Sequence, residues 1–409
     1  MRRVVITGLG VVSPVGNTVT DFWDNLKKGV CGIGKITSFP IDDFPVQVAA
    51  ELKDFNPEAF GIDRALVRRS DLFTQYALVA AKQAMDGSKL EINPQRLGVY
   101  VGSGVGGIHT FYAESKKLLE NGMGMVSPLF IPMMISNIAA GNIAISHKAE
   151  GPCLPVVTAC ATGTHSIGEA YRAIKHGYAD AIIAGGTEAS ITPLAVGGFG
   201  NAKALSRSLD PLSASIPFDK RRQGFVIGEG AGVLILEEYE HAKARNAKIY
   251  AEVCGYGNTC DAYHYTAPKP DGLCAAKAMQ LALEEAGYSD NDNLYINAHG
   301  TGTPLNDKTE TMAIKLALGE KKAIQTLISS TKSMTGHMLG AAGAAELIAS
   351  VLSLKEGIIA PTIGLQESDP ECDLDYVPNI ARKANINIAI SNSLGFGGHN
   401  ASVAIRKIN

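Results

Sequence analysis

The chain has 409 residues, 46% of them hydrophobic and 19% charged, with a formal net charge of −3. That is a globular composition, long enough for two domains or one large pseudo-symmetric one, and it lacks the basic excess that general nucleic-acid binding needs. Seven cysteines without a C-x-x-C pair argue against a secreted disulfide framework or a zinc ribbon, and the absence of a signal core or of an apolar run of about 18 residues makes the expected setting reducing and cytoplasmic, away from the membrane.

In chain order, "RRVVITGLG" (2–10) is a short Val/Ile run that stops at glycines, the pattern of a buried strand. "TDFWDNLKKG" reads as a helix with Thr20 as N-cap and Gly29 past its end. "RLGVYVGSG" (96–104) is a strand running into a glycine loop. "LPVVTA" reads as a strand and "TGTHSIGEAYRAIKHG" as a helix, followed by the strands "DAIIAGG" and "AGVLILEE". A second series starts near residue 248: strand "KIYAEVCGYG", helix "LCAAKAMQLALEEAG", strand "NLYINAHG", helix "DKTETMAIKLALG", strand "TLISST", helix "HMLGAAGAAELIASVLSLKEG", and strands "INIAISNS" and "ASVAIRK". The loop 257–272, rich in Gly, Asp, Tyr and Pro, reads as a mobile surface connection.

The two series run in the same order, a repeat of topology rather than of identity. The expectation is an α/β fold of two similar halves, 1–247 and 248–409, with a site where their strand ends meet. "VVTAC–helix" answers "ISSTK–helix", which puts Lys332 near the position that answers Cys160.

Cys160 stands between an apolar run and a helix, where a helix N-terminus lowers a thiol's pKa. Taken alone, such a cysteine is more often a packed small hydrophobe. The second half, however, carries His299 after a strand and His337 at the opening of a helix, both in Gly/Thr-rich joints. One thiol facing two imidazoles is a constellation for nucleophilic catalysis. Glu346 lies on a helix that is apolar or small on every face, so burial requires a partner, and Lys332 is the expected one. "NSLGFGGHN" (392–400) is a glycine turn able to aim backbone N–H groups at an oxyanion. "GSGVGG" (102–107) has the G-x-G-x-x-G spacing but lacks the acidic residue of a dinucleotide site.

These motifs, in this order and across essentially the whole chain, resemble the β-ketoacyl-[acyl carrier protein] synthases of the thiolase superfamily, and among them the elongating type II enzymes of bacterial fatty acid synthesis. "VVITGLGVVSPVGN", "TACATGTHSIG", "GGTEA", "NAHGTGTP", "SSTKSMTGHMLGAAGA" and "NSLGFGGHN" carry the likeness. It implies thiolase-like duplicated halves in a layered α-β-α-β-α sandwich and decarboxylative condensation of a malonyl thioester with an acyl chain on Cys160. It implies His299 and His337 at the malonyl group, Lys332 paired with Glu346, and Phe396 as a gate whose N–H joins that of Cys160. Thr301 and Thr303 would contact the pantetheine arm, beside Gly395 and Gly397. Gly106, Gly107 and Ile108 would line the acyl pocket, with Phe130 reaching into a partner subunit's pocket.

The likeness further implies a homodimer, acyl carrier protein as partner, and no cofactor. A monovalent cation would lie near Asn297, Glu346, Ser391 and Asn392, and Arg64, Arg68, Arg69 and Arg207 would dock the acidic carrier. Two positions depart from the family pattern. Gly124 and Met125 stand where relatives often carry a basic pair, and Leu394 replaces a common phenylalanine beside the gate. The rivals are a polyketide-type ketosynthase, with nearly the same triad, and a non-catalytic chain-length subunit, which would lack the nucleophile.

Overall fold

The computed structural model describes residues 1–289 and 291–408. Its strands are β1 (Val4–Val12), β2 (Leu97–Gly102), β3 (Ala181–Glu188), β4 (Gly230–Glu238), β5 (Ala251–Cys260), β6 (Leu294–Asn297), β7 (Leu327–Ser329), β8 (Ile388–Gly395) and β9 (His399–Arg406). They join in one sheet ordered β2-β3-β4-β1-β5-β9-β8-β6-β7. The helices used below are α1 (Val19–Lys28), α2 (Leu72–Ser88), α3 (Ile108–Asn121), α4 (Ile138–His147), α5 (Thr162–Lys175), α6 (Leu273–Glu285), α7 (Pro304–Leu318) and α8 (Ala342–Glu356).

Outward from the β1–β5 junction, the two wings repeat each other. β4, β3 and β2 on one side answer β9, β8 and β6 on the other. The β2–β3 and β6–β8 pairs are parallel, and the pairs nearer the junction are antiparallel. Even an irregularity is duplicated. β1 slips between Ile6 and Gly8 against β4, and β5 slips between Val253 and Gly255 against β9. Thr7 and Cys254 are the paired bulge residues.

The glycines that follow have a packing reason. A Cβ on Gly8 or Gly10 would lie 2.2 and 1.9 Å from the carbonyl oxygens of Ala84 and Ala80. A Cβ on Gly255 or Gly257 would lie 2.0 and 1.8 Å from those of Ala282 and Ala278. Each Gly-x-Gly therefore lets a helix, α2 or α6, lie directly on its strand.

α2 and α4 cover the outer face of the first wing and α6 and α7 that of the second, while α5 and α8 pack against each other and against strands of both wings. The apolar core divides accordingly into two outer clusters and a large middle one. This is the layered α-β-α-β-α arrangement. Residues Ala342 to Leu354 of α8 are all buried, as a helix without a polar face must be. Among the described residues no helix is long and apolar enough to cross a membrane.

Two local expectations change, and two helices go unread. Thr18, not Thr20, caps α1, its hydroxyl accepting the Asp21 N–H, and Gly29 ends the helix at φ 68. "LPVVTA" is not a strand, and its last residue, Ala159, already belongs to the tight turn before α5. The bridge that precedes it, Cys153 to Val99, is not continued, because Pro155 has no N–H with which to extend a ladder. α2 and α4 have little helical periodicity, since α2 is buried on most of its circumference, and both escape a periodicity reading.

Candidate active site

Cys160 sits in a tight turn, Ala159–Ala161, that leads into α5. Ala159 has φ 51, a left-handed conformation costing roughly 1–2 kcal/mol for a residue with a Cβ. The strained turn places Cys160, 9% exposed, on the wall of a cavity of about 380 Å³. His299, His337, Thr301, Thr303, Gly395 and Phe396 line the same cavity. Residues from both wings thus meet in one space.

His299 follows β6 in a loop bent at Gly300 (φ 37) and Gly302 (φ 77). Two buried carboxylates of α7 hold that loop. Glu310 accepts the N–H groups of His299 and Gly300, both at 2.8 Å, and Asp307 accepts that of Gly302 at 3.2 Å. Burial pushes Glu310 up to about 7. His337 is fixed through its backbone. Its N–H donates to Val226 O at 2.7 Å and its carbonyl accepts from Gly228 at 2.8 Å. The ring of Phe225 stands edge-on to it at 5.3 Å.

The two imidazoles lie 5.2 Å apart, nearly perpendicular. His299 Nδ1 and both ring nitrogens of His337 are buried without a hydrogen-bond partner. Burial and the charge of Lys332 hold both rings well below the usual imidazole range, so they are neutral. Lys332 itself is fully buried and donates to Glu346 Oε1. Burial pushes the Glu346 carboxyl up and Lys332 pulls it down.

The gate strand rests on the nucleophile turn. A Cβ on Gly395 would lie 2.9 Å from Thr158 O and 3.2 Å from Ala161 N. The N–H groups of Phe396 and Cys160 favour the thiolate form of Cys160. The sequence argument expected a helix terminus to lower this thiol's pKa. Burial instead pushes it up to about 11, with those two N–H groups and Lys332 pulling the other way. The loop 257–272 is not a plain surface connection. β5 runs through Cys260, Asp261 and Thr266 to Pro268 line the cavity, Gly397 donates to Tyr265 O at 2.8 Å, and Asp261 donates to Gly398 O at 2.8 Å.

Thr301 and Thr303 share a hydrogen bond at 3.0 Å. Gly107 and Ile108 line a second cavity of about 470 Å³ with Val105, Phe111 and Met134, just after Gly106 at φ 80. Phe130 is half-buried at the start of the short helix Phe130–Met134, outside that lining. Arg64, Arg68 and Arg69 are exposed on one helical turn and its exit, and Arg207 is exposed on the segment after the cavity-lining Ala204. Of the residues grouped around a cation, three converge. Asn297 and Ser391 are neighbours across β6 and β8, and Asn297 Oδ1, Ser391 Oγ and Glu346 Oε2 are buried without partners. The Asn392 side chain takes the other face of the sheet, accepting from Ser402 at 2.8 Å and lying 3.5 Å from Glu310.

Lys332 does not answer Cys160. The turn Leu339–Ala341 does: Leu339, at φ 46, matches Ala159, and Gly340 takes the place of Cys160. Lys332 and His337 ride on a longer connection after β7 that includes the short helix Lys332–Thr335. Glu310, Asp307, Asp261 and Phe225 were not singled out in the sequence. The one signal for the first two was that 307 and 310 share a helix face with the apolar Ala313 and Ile314.

Residues 1–242 match the family described as Beta-ketoacyl synthase, N-terminal domain, and residues 250–366 the Beta-ketoacyl synthase, C-terminal domain. The chain is 52% identical over 409 residues to the 3-oxoacyl-[acyl-carrier-protein] synthase 2 of Staphylococcus aureus (strain COL), covering 99% of this chain and 98% of that one. A β-ketoacyl synthase crystal structure from Burkholderia phymatum superposes with a TM-score of 0.92 at 36% identity, covering 100% of both chains. A complex called AntDE:AntF, a type II polyketide acyl-carrier protein with its ketosynthase, does so with 0.91 at 36%, again covering 100% of both. With both halves of the chain matched, and a thiol and two neutral imidazoles sharing one cavity, the protein belongs to the β-ketoacyl synthase family.

Proposed function

We propose that the protein condenses malonyl-[acyl carrier protein] with an acyl chain held on Cys160, releasing CO2 and giving 3-oxoacyl-[acyl carrier protein] two carbons longer, in fatty acid elongation. The observation that carries this reading is the meeting of Cys160, His299 and His337 in one cavity, in a chain 52% identical end to end to a 3-oxoacyl-[acyl-carrier-protein] synthase 2.

In the first step the sulfur attacks the acyl thioester, the carrier's thiolate leaves, and the thiol proton goes with it. The resting thiol, pushed up by burial, is stored neutral, and the N–H groups of Phe396 and Cys160 stabilise negative charge where it develops. Malonyl then binds beside the histidines. Its carboxylate carbon leaves as CO2, and the bond pair passes to the enolate. Each neutral imidazole offers one N–H to the enolate oxygen and no acidic proton to quench the carbon. The carbon attacks the Cys160 thioester, the oxyanion sits between the two N–H groups, and the sulfur departs. Lys332, paired with Glu346, keeps the histidines from protonating. Thr301 and Thr303 hold the pantetheine arm beside Gly395 and Gly397, and Gly106, Gly107 and Ile108 line the acyl pocket.

The chain is read as two halves, 1–247 and 248–409, acting in the cytoplasm without a cofactor. Asn297, Ser391 and Glu346 offer oxygens to a monovalent cation. Arg64, Arg68, Arg69 and Arg207 dock the carrier, with Gly124 and Met125 weakening that patch. The working form is a homodimer. Phe111, Leu119, Met123, Ile131 and Ile145 are exposed within 108–147, an apolar face that also carries Phe130.

A polyketide ketosynthase is the second reading, supported by neighbours such as AntDE:AntF. Its mark would be copurification with a cysteine-lacking partner chain. The test of the first is substitution at the nucleophile. Cys160→Ala abolishes condensation, and Cys160→Gln, a mimic of the acylated state, keeps malonyl decarboxylation running. Unchanged product formation by both variants would end the proposal.

A further inference from the structure

Glu188, the last residue of β3, is fully buried. Four donors point at it and, among the described residues, no cation does. Oε1 accepts from Ser103 Oγ at 2.8 Å and Val105 N at 3.3 Å; Oε2 accepts from Gly104 N at 2.9 Å and Gly340 N at 3.1 Å. Ser103 Oγ in turn accepts the Gly106 N–H at 2.8 Å, and Val105 and Gly107 line the second cavity. One carboxylate therefore reaches the acyl-pocket wall in the first half and the turn after His337 in the second.

The duplication explains why this position matters. Cys160 presents its N–H, with that of Phe396, to the space a substrate enters. Gly340 holds the corresponding place, and Glu188 takes its N–H. There is no spare room: a Cβ on Gly340 would lie 2.6 Å from Gly104 N, and one on Gly104 would lie 2.8 Å from Glu188 Oε2 and 3.2 Å from Ala159 O. The carboxylate and its loop lie directly behind the nucleophile turn.

We propose that Glu188 is a positioning residue for the acyl chain, its Oε1 fixing the Ser103–Gly106 wall of the second cavity and its Oε2 anchoring that wall to the Gly340 turn. The proposal rests on the condensation reading above. A glutamine here separates the two functions. Gly104 and Gly340 can only donate, so the amide oxygen stays with them and the NH2 group faces the Val105 N–H, where donor meets donor, and Ser103, whose hydroxyl must turn from donor to acceptor. Glu188→Gln thus disturbs the pocket wall, through Val105 and the reoriented Ser103 hydroxyl, and leaves the turn beside His337 in place.

The experiment reads two half-reactions. Acylation of Cys160 is followed by intact mass with dodecanoyl- and acetyl-carrier protein, and malonyl decarboxylation is followed in the Cys160→Gln background. Glu188→Gln should slow dodecanoyl transfer about tenfold while acetyl transfer and decarboxylation stay within about twofold, since small misplacements near a reacting group cost this much or more. Ser103→Ala, which removes an Oε1 partner without touching the carboxylate, should show the same split and serves if the glutamine variant does not fold. Equal losses in all three readouts, or no loss in any, overturn the assignment. Wild-type protein inactive in both half-reactions instead overturns the condensation reading.

Discussion

The turns Ala159–Ala161 and Leu339–Ala341 occupy corresponding places in the two halves and share a left-handed first residue, φ 51 in one and φ 46 in the other. Each leads into a helix of the middle layer. They differ in what faces them. Cys160 opens on a cavity; Gly340 is pressed against Glu188 and Gly104. The connections before them differ too, since the second half has a longer one that carries Lys332 and His337. A duplicated scaffold supplies two strained turns, and chemistry belongs to the one whose surroundings leave room for a substrate and whose partner half donates the imidazoles. Strain alone does not make a site.

The comparison breaks if the two turns are interchangeable. Moving the thiol, as Cys160→Ala with Gly340→Cys, should leave condensation at background, a loss on the order of 10⁶-fold, the cost of removing a catalytic nucleophile. Recovery of product by the double variant in a carrier-protein assay would show that Gly340 is not sealed. Lys332→Ala sharpens the comparison by emptying the longer connection of its charge. Glu346 is then buried without a counter-charge, and urea unfolding should show a loss of about 3–5 kcal/mol. The smallest effect is on pH. Histidine pKa values lowered by burial keep both rings neutral as pH falls through 6.5, so decarboxylation by Cys160→Gln should stay flat into that range. An acid limb centred near 6.5 in that profile would contradict the neutral pair.

Much of the scaffold could be read from particular runs. Val4–Val12, Ala181–Glu188 and Gly230–Glu238 are apolar strands because both of their faces are covered, and α8 has no polar face because it fills the middle layer. The repeat was visible in "VITGLG" and "EVCGYG", down to the glycines that seat α2 and α6. Other features carried a weak local mark or none. The "LPVVTA" run has strand composition, and its Pro155 stops the ladder. Glu188 and Glu310 look like surface carboxylates in the sequence, because what buries them comes from segments far along the chain. Lys332 looked like the counterpart of Cys160 because its neighbouring run matched, whereas backbone torsion and helix start assign that place to Gly340.

By itself the sequence determined the order of most strands and of the helices with a clear apolar face or none, their duplication, and which residues had the chemistry to react. Those properties follow from local composition and period, which each short segment carries within itself. Only the tertiary structure decided which turn is open and which is sealed, that burial outweighs the helix terminus at the Cys160 thiol, and that Asn392 faces away from Asn297 and Ser391. Such outcomes depend on desolvation and on close contacts between distant segments, and those exist only once both halves have packed around α5 and α8.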